Sequence, residues 1–458
     1  MTGLTQAIAA FAAAPHFNDD LVDACAIARQ GMTDTIATMF AGASEPVTKI
    51  VIARHSPHAQ QSGTSAPVPY ANGFLPAPEA ACVNGVASHA LDYDDVALSG
   101  HPSTALTPAI LAQAHVQSAS GLDCLKAYIV GYETWAEIAS REPDPYHLKG
   151  WHPTAVLGTI AATAALASLQ KLPEDTIVRA LGIAASLASG LVANFGTMTK
   201  PLHSGRAGAL AFEAIEWANL GLTAAPDALE HHAGFLHAIS LNNRVDRERP
   251  ARIGQGLRIL ETGLNIKKYP VCYSGHRVID GVIDLAQRHR IVPERVASIQ
   301  ASIGPAQASM LRNHAPTTAL EAKFSLEFAI ASGLVNHKVG LAELTDEMAT
   351  RDALRTLYKK VDIRTVEQPD PLDSAFSITD RVIITLTDGS VLDTGDIRFP
   401  RGHAKLPLAE NDLRAKFDEC LNVWYDRSST PQALKADKLY ACLSDLAALT
   451  DITTLYDA

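Results

Sequence analysis

The run from Ala180 to Thr199, ALGIAASLASGLVANFGTMT, carries no charged side chain. A stretch of that length must leave water, into a bilayer or into the interior of a large helical fold. Its residues are mostly small, and Asn194 with several Ser and Thr keep its hydropathy modest. A close-packed buried helix fits better than a membrane span. The same texture fills the first part of the chain. DDLVDACAIARQGMTDTIATMF, PEAACVNGVASHAL, LDCLKAYIVGYETWAEIASRE, PTAVLGTIAATAALASLQ, EDTIVRALGIAASLASGLVANF and GRAGALAFEAIEWANLG all space their apolar residues as helices do. Asp19–Asp20 and Pro78–Glu79 are good helix starts. The Ala, Gly and Ser content predicts helices that cross closely, with small residues at the crossings.

The pattern changes after Lys267. RVIDGVIDLAQRHR is one more helix. VASIQASI, from Val296 to Ile303, alternates Ala297, Ile299, Ala301 and Ile303 against Ser298, Gln300 and Ser302, the period of a half-buried strand. RVIITLTDGSVLDTG predicts a hairpin turning at Asp388–Gly389. AKFSLEFAIASGLVNH between them is helical. After Pro400–Arg401–Gly402 the chain returns to helices in NDLRAKFDECLNVWYD and TPQALKADKLYACLSDLAAL. The expected fold is mainly α with a smaller α+β domain. Residues 1–267 and 403–458 form a discontinuous all-helical domain, and 268–402 the α+β domain.

With 47% hydrophobic and 19% charged residues, the composition is globular. A net charge of −11 argues against nucleic acid as a partner, though not against a small anion drawn to a few converging cations. The six cysteines, Cys25, Cys82, Cys124, Cys272, Cys420 and Cys442, form no CxxC, which fits a reducing, cytoplasmic compartment. MTGLTQAIAAFAAAPHF lacks the basic region of a signal peptide and reads as an amphipathic or buried helix. No nucleotide-binding, zinc-protease or serine-hydrolase motif is present.

Four clusters carry chemistry. ASHALDYDDVALSGHPSTAL holds His89, Asp92, Asp94, Asp95 and His101. Asp94 and Asp95 read there as capping and solvating acids. KGWHPTAVLG sets His152 just before a helix, where backbone N–H groups attract anions. GTMTKPLHSGRAGAL brings Lys200, His203 and Arg206 to a helix junction. NIKKYPVCYSGHRVID supplies Lys267, Lys268, Tyr269, Cys272 and His276 at the expected domain boundary, a frequent place for ligands. Asp92, His101 and His152 are acceptable metal-ligand types, but their spacing does not demand an ion, and no metal is expected.

In their order, NGVASHALDYDD, GHPS, GWHPTAVLGTIAATAAL, KPLHSGRAGALAFEAIEWANLGLTA, KKYPVCYSGHRVIDGVIDL and EAKFSLEFAIASGL resemble the MmgE/PrpD family over nearly the whole chain. That family includes 2-methylcitrate dehydratases, cis-aconitate decarboxylases and iminodisuccinate epimerases. The resemblance implies an all-helical domain built from both ends of the chain, a smaller α+β lid domain and a homodimer. It also implies that no metal or organic cofactor is used and that a di- or tricarboxylate binds between the domains. Position by position it implies catalytic roles for Asp92, His101, His152, Lys200 and Lys267. His203, Arg206, Lys268, Tyr269 and His276 accompany them as substrate-binding candidates. Two positions depart from the pattern. Val96 stands where decarboxylases and methylcitrate dehydratases usually carry Thr, and Cys272 where decarboxylases carry a second His. Both weigh against those two activities. Cys272 joins the catalytic candidates, because a thiol among Lys267, Lys268 and His276 has cationic neighbours; a small buried core residue is the alternative.

The implied chemistry starts by removing a proton next to a carboxylate, which needs a base and cations where charge develops. The expected function is a cofactor-independent lyase or epimerase acting on a small di-/tricarboxylate. A non-catalytic carboxylate-binding paralogue, a cis-aconitate decarboxylase-like activity and a metal-dependent hydratase are the alternatives. A membrane is not an expected partner.

Overall fold

The computed structural model describes residues 3–56, 63–371, 375–427 and 434–457. Two compact units emerge: Met1–Asn265 together with Glu410–Ala458, and Ile266–Ala409. The first is helical and the second α+β, so Lys267 belongs to the α+β unit rather than to the helical one.

The helical unit begins with α1 (Leu4–Ala13) and α2 (Leu21–Ala41). A small hairpin that the sequence did not reveal follows, β1 (Ser65–Val68) paired with β2 (Gly73–Pro76). Then come α3 (Ala77–His89), α4 (Pro102–Gln117), α5 (Gly121–Ala139), α6 (Pro153–Leu169), α7 (Glu174–Leu187) and α8 (Thr199–Asn219). α6 is buried on all sides, as its uniformly apolar sequence requires. Among the described residues no single helix is long and apolar enough to cross a membrane.

Helices α3 and α8 cross where two glycines meet. A Cβ on Gly205 would lie 2.2 Å from the carbonyl oxygen of Cys82, and one on Gly85 would lie 2.8 Å from the Cα of Gly205. Backbone stands in the way, so no side chain can swing aside. Gly205→Ala is therefore expected to cost about 1–3 kcal/mol of stability through over-packing. A urea midpoint unchanged from wild type would show that the crossing relaxes freely.

The uncharged run does not form one helix. α7 stops at Leu187, and α8 starts at Thr199, earlier than its sequence pattern suggested. The cause is a close approach. A Cβ on Gly190 would sit 2.5 Å from that of Ala155, and the Gly190 carbonyl accepts from the His152 N–H at 3.0 Å. The chain between α7 and α8 thus lies against the start of α6, where a continuing helix could not go.

In the α+β unit, α9 (His276–His289) and α10 (Leu326–Val335) pack together beside a four-stranded sheet. Its strands are β3 (Val296–Ile303), β4 (Val361–Thr365), β5 (Arg381–Leu386) and β6 (Val391–Asp393), in the order β4-β3-β5-β6. β3 pairs parallel with β4 and antiparallel with β5. The sequence period held for Ile299, Ala301 and Ile303, which are buried. It failed at Ala297, which is exposed while Val296 is buried, because an irregularity between Val296 and Ser298 shifts the register. The β5–β6 hairpin turns through Asp388–Gly389, with Gly389 at φ +84°. β4 was not foreseen; its half-exposed VDIRT lacks a clear alternation.

The chain then returns to the helical unit as α11 (Glu410–Arg427) and α12 (Ala436–Ser444). Residues 430–433 of the helical stretch read from the sequence lie outside the described residues. α11 packs on α2 and buries Leu413, Phe417, Leu421 and Trp424. It also buries Lys416, whose Nζ lies 2.5 Å from Asp34 Oδ1 and donates to the Tyr93 carbonyl at 2.8 Å. All six cysteines are free thiols.

Candidate active site

Two His–Pro pairs build the site. A residue before proline is pushed out of the helical region, and proline suits the first helical turn. His101 and His152 therefore sit at the N-cap positions of α4 and α6, and neither imidazole caps its own helix. The two starts touch: the His101 N–H donates to Thr154 Oγ1 at 3.2 Å. α8 begins beside them with Lys200 in its first turn, and α3 ends there with His89. Three helix N-termini thus converge, and their partial positive charges favour an anion.

The loop after α3 turns its acids inward. Asp92 adopts φ +54°, the left-handed region that Asp tolerates better than most residues. Its Oδ1 receives Lys200 Nζ at 2.5 Å and lies 3.8 Å from His101 Nε2. Asp94 is fully buried between two histidines: His89 Nδ1 lies 2.9 Å from Oδ1, and His101 Nδ1 lies 3.0 Å from Oδ2. His101 Nδ1 also lies 2.9 Å from the Asp95 carbonyl oxygen. Asp95 is fully buried too and accepts from Ser103 Oγ at 2.6 Å, with Tyr128 Oη 2.5 Å from the same hydroxyl. The reading of Asp94 and Asp95 as solvated capping acids is thereby corrected. Neither meets water: both carboxyl groups are fully buried.

A second histidine pair faces the first. His152 Nδ1 lies 3.1 Å from His203 Nδ1, so in the neutral pair one nitrogen donates and the other accepts. The His152 ring stacks 6.1 Å from that of His89 and meets the edge of Phe195 at 4.8 Å. Phe195, not singled out from the sequence, also lies 5.3 Å from Lys200 Nζ. It is delivered by the break at Gly190.

Burial sets the protonation states. It pushes His89 down to about 4 although Asp94 pulls the other way. It pushes His203 down to about 4, helped by His89 and Lys200. Burial, then Lys200 and the neighbouring imidazoles, holds His152 well below the ordinary histidine range. Burial opposes ionisation of Asp94, but His89 and His101 outweigh it and keep its carboxyl well below the usual range. Asp95 is driven well above that range by burial and then by Asp34. The site therefore offers neutral imidazoles at His89, His152 and His203 and an ionised Asp94 near neutral pH, while burial resists ionisation of Asp95.

His89, Asp92, Asp94 and His101 each place one donor atom within 4.8 Å of the others, a set that a metal ion could use. Within it, both Asp94 oxygens face imidazole nitrogens and the Lys200 ammonium already stands against Asp92.

Of the residues singled out from the sequence, the helical unit brings together Asp92, His101, His152, Lys200 and His203. It does not bring in Arg206, which is exposed and whose charge is felt by Cys82 instead. Lys267, Lys268, Tyr269, Cys272 and His276 belong to the α+β unit. Lys267 is buried there. Tyr269 Oη donates to Asp280 at 2.6 Å, and His276 Nε2 lies 3.2 Å from the Val271 carbonyl oxygen. Cys272 is packed into that unit's apolar core with Tyr269 and Val271. The polar atoms of Tyr269 and His276 named here are engaged within their own unit. His89 and Asp94 leave only a faint mark in the sequence: they stand five residues apart, one closing a helix and one in the loop beyond it.

Two family models match the chain. The MmgE/PrpD N-terminal domain covers residues 6–248 and the MmgE/PrpD C-terminal domain residues 269–439. Curated relatives include the cis-aconitate decarboxylase of Homo sapiens, 29% identical over 390 residues, covering 82% of this chain and 79% of that one. The cis-aconitate decarboxylase of Mus musculus is 28% identical over 389 residues, covering 82% and 78%. That of Aspergillus terreus is 25% identical over 480 residues, covering 100% and 96%.

Proposed function

The chain belongs to the MmgE/PrpD family, and from that premise we propose that it is a cofactor-independent lyase acting on a small di- or tricarboxylate. The observation that carries this reading is the buried Lys200–Asp92 contact, set with His101 and His152 at three converging helix starts. A base takes the proton from the carbon next to a carboxylate, and the C–H electron pair spreads onto the carboxylate oxygens. Lys200 and the helix N-termini are placed to stabilise that charge. Departure of a β-hydroxyl, carrying a proton from an acid, then gives an alkene. Return of the proton to the opposite face gives the epimer. Decarboxylation, which the names of the relatives favour, needs no prior proton removal: the C–C bond to a carboxylate breaks, carbon dioxide leaves, and the electron pair left behind takes one proton at carbon from an acid.

Val96 and Cys272 weigh on that choice. Val96 N–H and C=O pair with Asn265 through the backbone, so its side chain is not fixed by this bridge and a Thr there would keep it. Cys272 lies in an apolar core, which favours packing over acid–base work and so favours a lyase over an epimerase.

The test is proton NMR in D2O with cis-aconitate, 2-methylcitrate and iminodisuccinate. A new vinylic product is expected from one of the first two. Deuterium uptake with inversion and no alkene would make the chain an epimerase, and silence from a folded, carboxylate-binding protein would make it a non-catalytic binder. Turnover is expected to survive dialysis against a chelator. Its loss, with recovery on adding zinc or manganese, would favour the metal reading of the His89, Asp92, Asp94 and His101 set.

A further inference from the structure

We propose that Asp94 is a positioning residue that clamps two histidines at once, fixing both His89 and His101 as Nδ1–H tautomers and making His101 Nε2 the proton acceptor of the site. The argument rests on what each ring nitrogen faces. His101 Nδ1 has two oxygens in range, Asp94 Oδ2 at 3.0 Å and the Asp95 carbonyl at 2.9 Å. A carbonyl oxygen only accepts, and so does an ionised carboxylate. A lone pair on Nδ1 would repel both, so Nδ1 carries the hydrogen. In a neutral imidazole the other nitrogen is then a bare acceptor.

His89 obeys the same logic. Its Nδ1 faces both Asp94 oxygens, at 2.9 and 3.0 Å. Its Nε2 is buried, and among the described residues no group hydrogen-bonds to it. An N–H left there would be an unpaired buried donor, whereas the lone pair is the less costly state. One carboxylate therefore orients two rings whose planes meet at 62° with centroids 4.5 Å apart. The consequence is directional. His101 Nε2 stands 3.8 Å from Asp92 and close to Lys200 through that shared carboxylate. When it takes a proton from carbon, the C–H bond breaks and an N–H bond forms. The positive ring is then flanked by Asp92 and Asp94, and the electron pair left behind is stabilised near Lys200. The tautomers hold whatever the substrate; the step from tautomer to rate rests on the proposed proton-transfer function.

The experiment uses the full-length protein labelled with 15N in its histidine rings. Long-range 15N–1H spectra distinguish the two tautomers, and His89→Gln and His101→Gln assign the signals by their loss. In wild type, on the alkaline side where imidazole is neutral, both rings are expected to show the Nδ1–H pattern. Asp94→Asn offers one carbonyl oxygen and one NH2, so one of the two rings is expected to flip to Nε2–H. With the substrate found in the D2O panel, kcat is expected to fall ~100-fold or more while KM changes little, as when an orienting carboxylate is lost from behind a catalytic histidine. An Nε2–H pattern for either ring in wild type overturns the clamp, even if the Asn variant does not fold. Unchanged tautomers in a folded Asp94→Asn protein overturn it as well. Expected tautomers without turnover of any panel acid would leave the clamp standing and count against the proposed function alone.

Discussion

Replacing Lys200 by alanine is expected to lower turnover of the carboxylate substrate at least ~100-fold, the range seen when a charge-stabilising or proton-transferring group is removed. The lysine is buried, 2.5 Å from Asp92 and beside the Phe195 ring, so nothing mobile can replace it. A second signature separates electrostatics from simple damage. Lys200 helps to hold His152 and His203 below the ordinary histidine range. Removing the cation lets both rings take a proton at higher pH, so the acid limb of the rate profile should move up. His152→Ala is expected to cost a similar factor without that displacement. Near wild-type rates for both variants would remove these residues from the chemistry. The measurement is kcat/KM across a pH series, with a thermal melt of each variant as the control for folding.

The largest loss of stability is expected for Lys416→Met, about 3–5 kcal/mol, as when one partner of a buried ion pair is deleted. The ammonium meets three groups: the Asp34 carboxylate at 2.5 Å, the Tyr93 carbonyl at 2.8 Å and the Tyr93 ring at 4.0 Å. Methionine fills the same space but leaves buried Asp34 without its cation. The double variant Asp34→Asn with Lys416→Met removes both charges and should recover most of the loss, because the desolvated carboxylate is gone. Urea unfolding followed by circular dichroism checks both. A single variant within about 1 kcal/mol of wild type would show that the pair holds nothing.

Much of the fold was legible because its periods are strong. Ile299, Ala301 and Ile303 announced a strand, Thr387 to Ser390 announced its hairpin, and the glycines Gly85 and Gly205 fitted an expectation of close crossings. The site was legible where local rules act. A proline after His101 and another after His152 fix those residues at helix starts whatever surrounds them. Lys200 and His203 lie three apart on one helix face, while Arg206, at ~100° per residue, has turned about 120° away from Lys200. That much was available from spacing, and the nearness of Arg206 in the chain obscured it. Asp94 was not legible. Three acids in a short loop have no period to show which faces inward, and a left-handed residue at Asp92 breaks any alternation. What decides the matter is the Tyr93 carbonyl, held by a lysine 323 positions later in the chain. Tyr269 and His276 belong to the α+β unit, where Tyr269 Oη donates to Asp280 and His276 Nε2 lies 3.2 Å from the Val271 carbonyl oxygen.

That long return also sets an order of events during synthesis. The loop carrying Asp92 and Asp94 leaves the ribosome well before the helix that ties it down. At about 5–20 residues per second, the 323 positions between Tyr93 and Lys416 take roughly 15–65 s to translate. Through that interval the face of α2 that α11 will cover stays uncovered. The α+β unit, contiguous from Ile266 to Ala409, has its whole sequence by then. The nascent chain can therefore finish its second unit before its first, and the loop carrying Asp92 and Asp94 is tied down only once α11 has emerged.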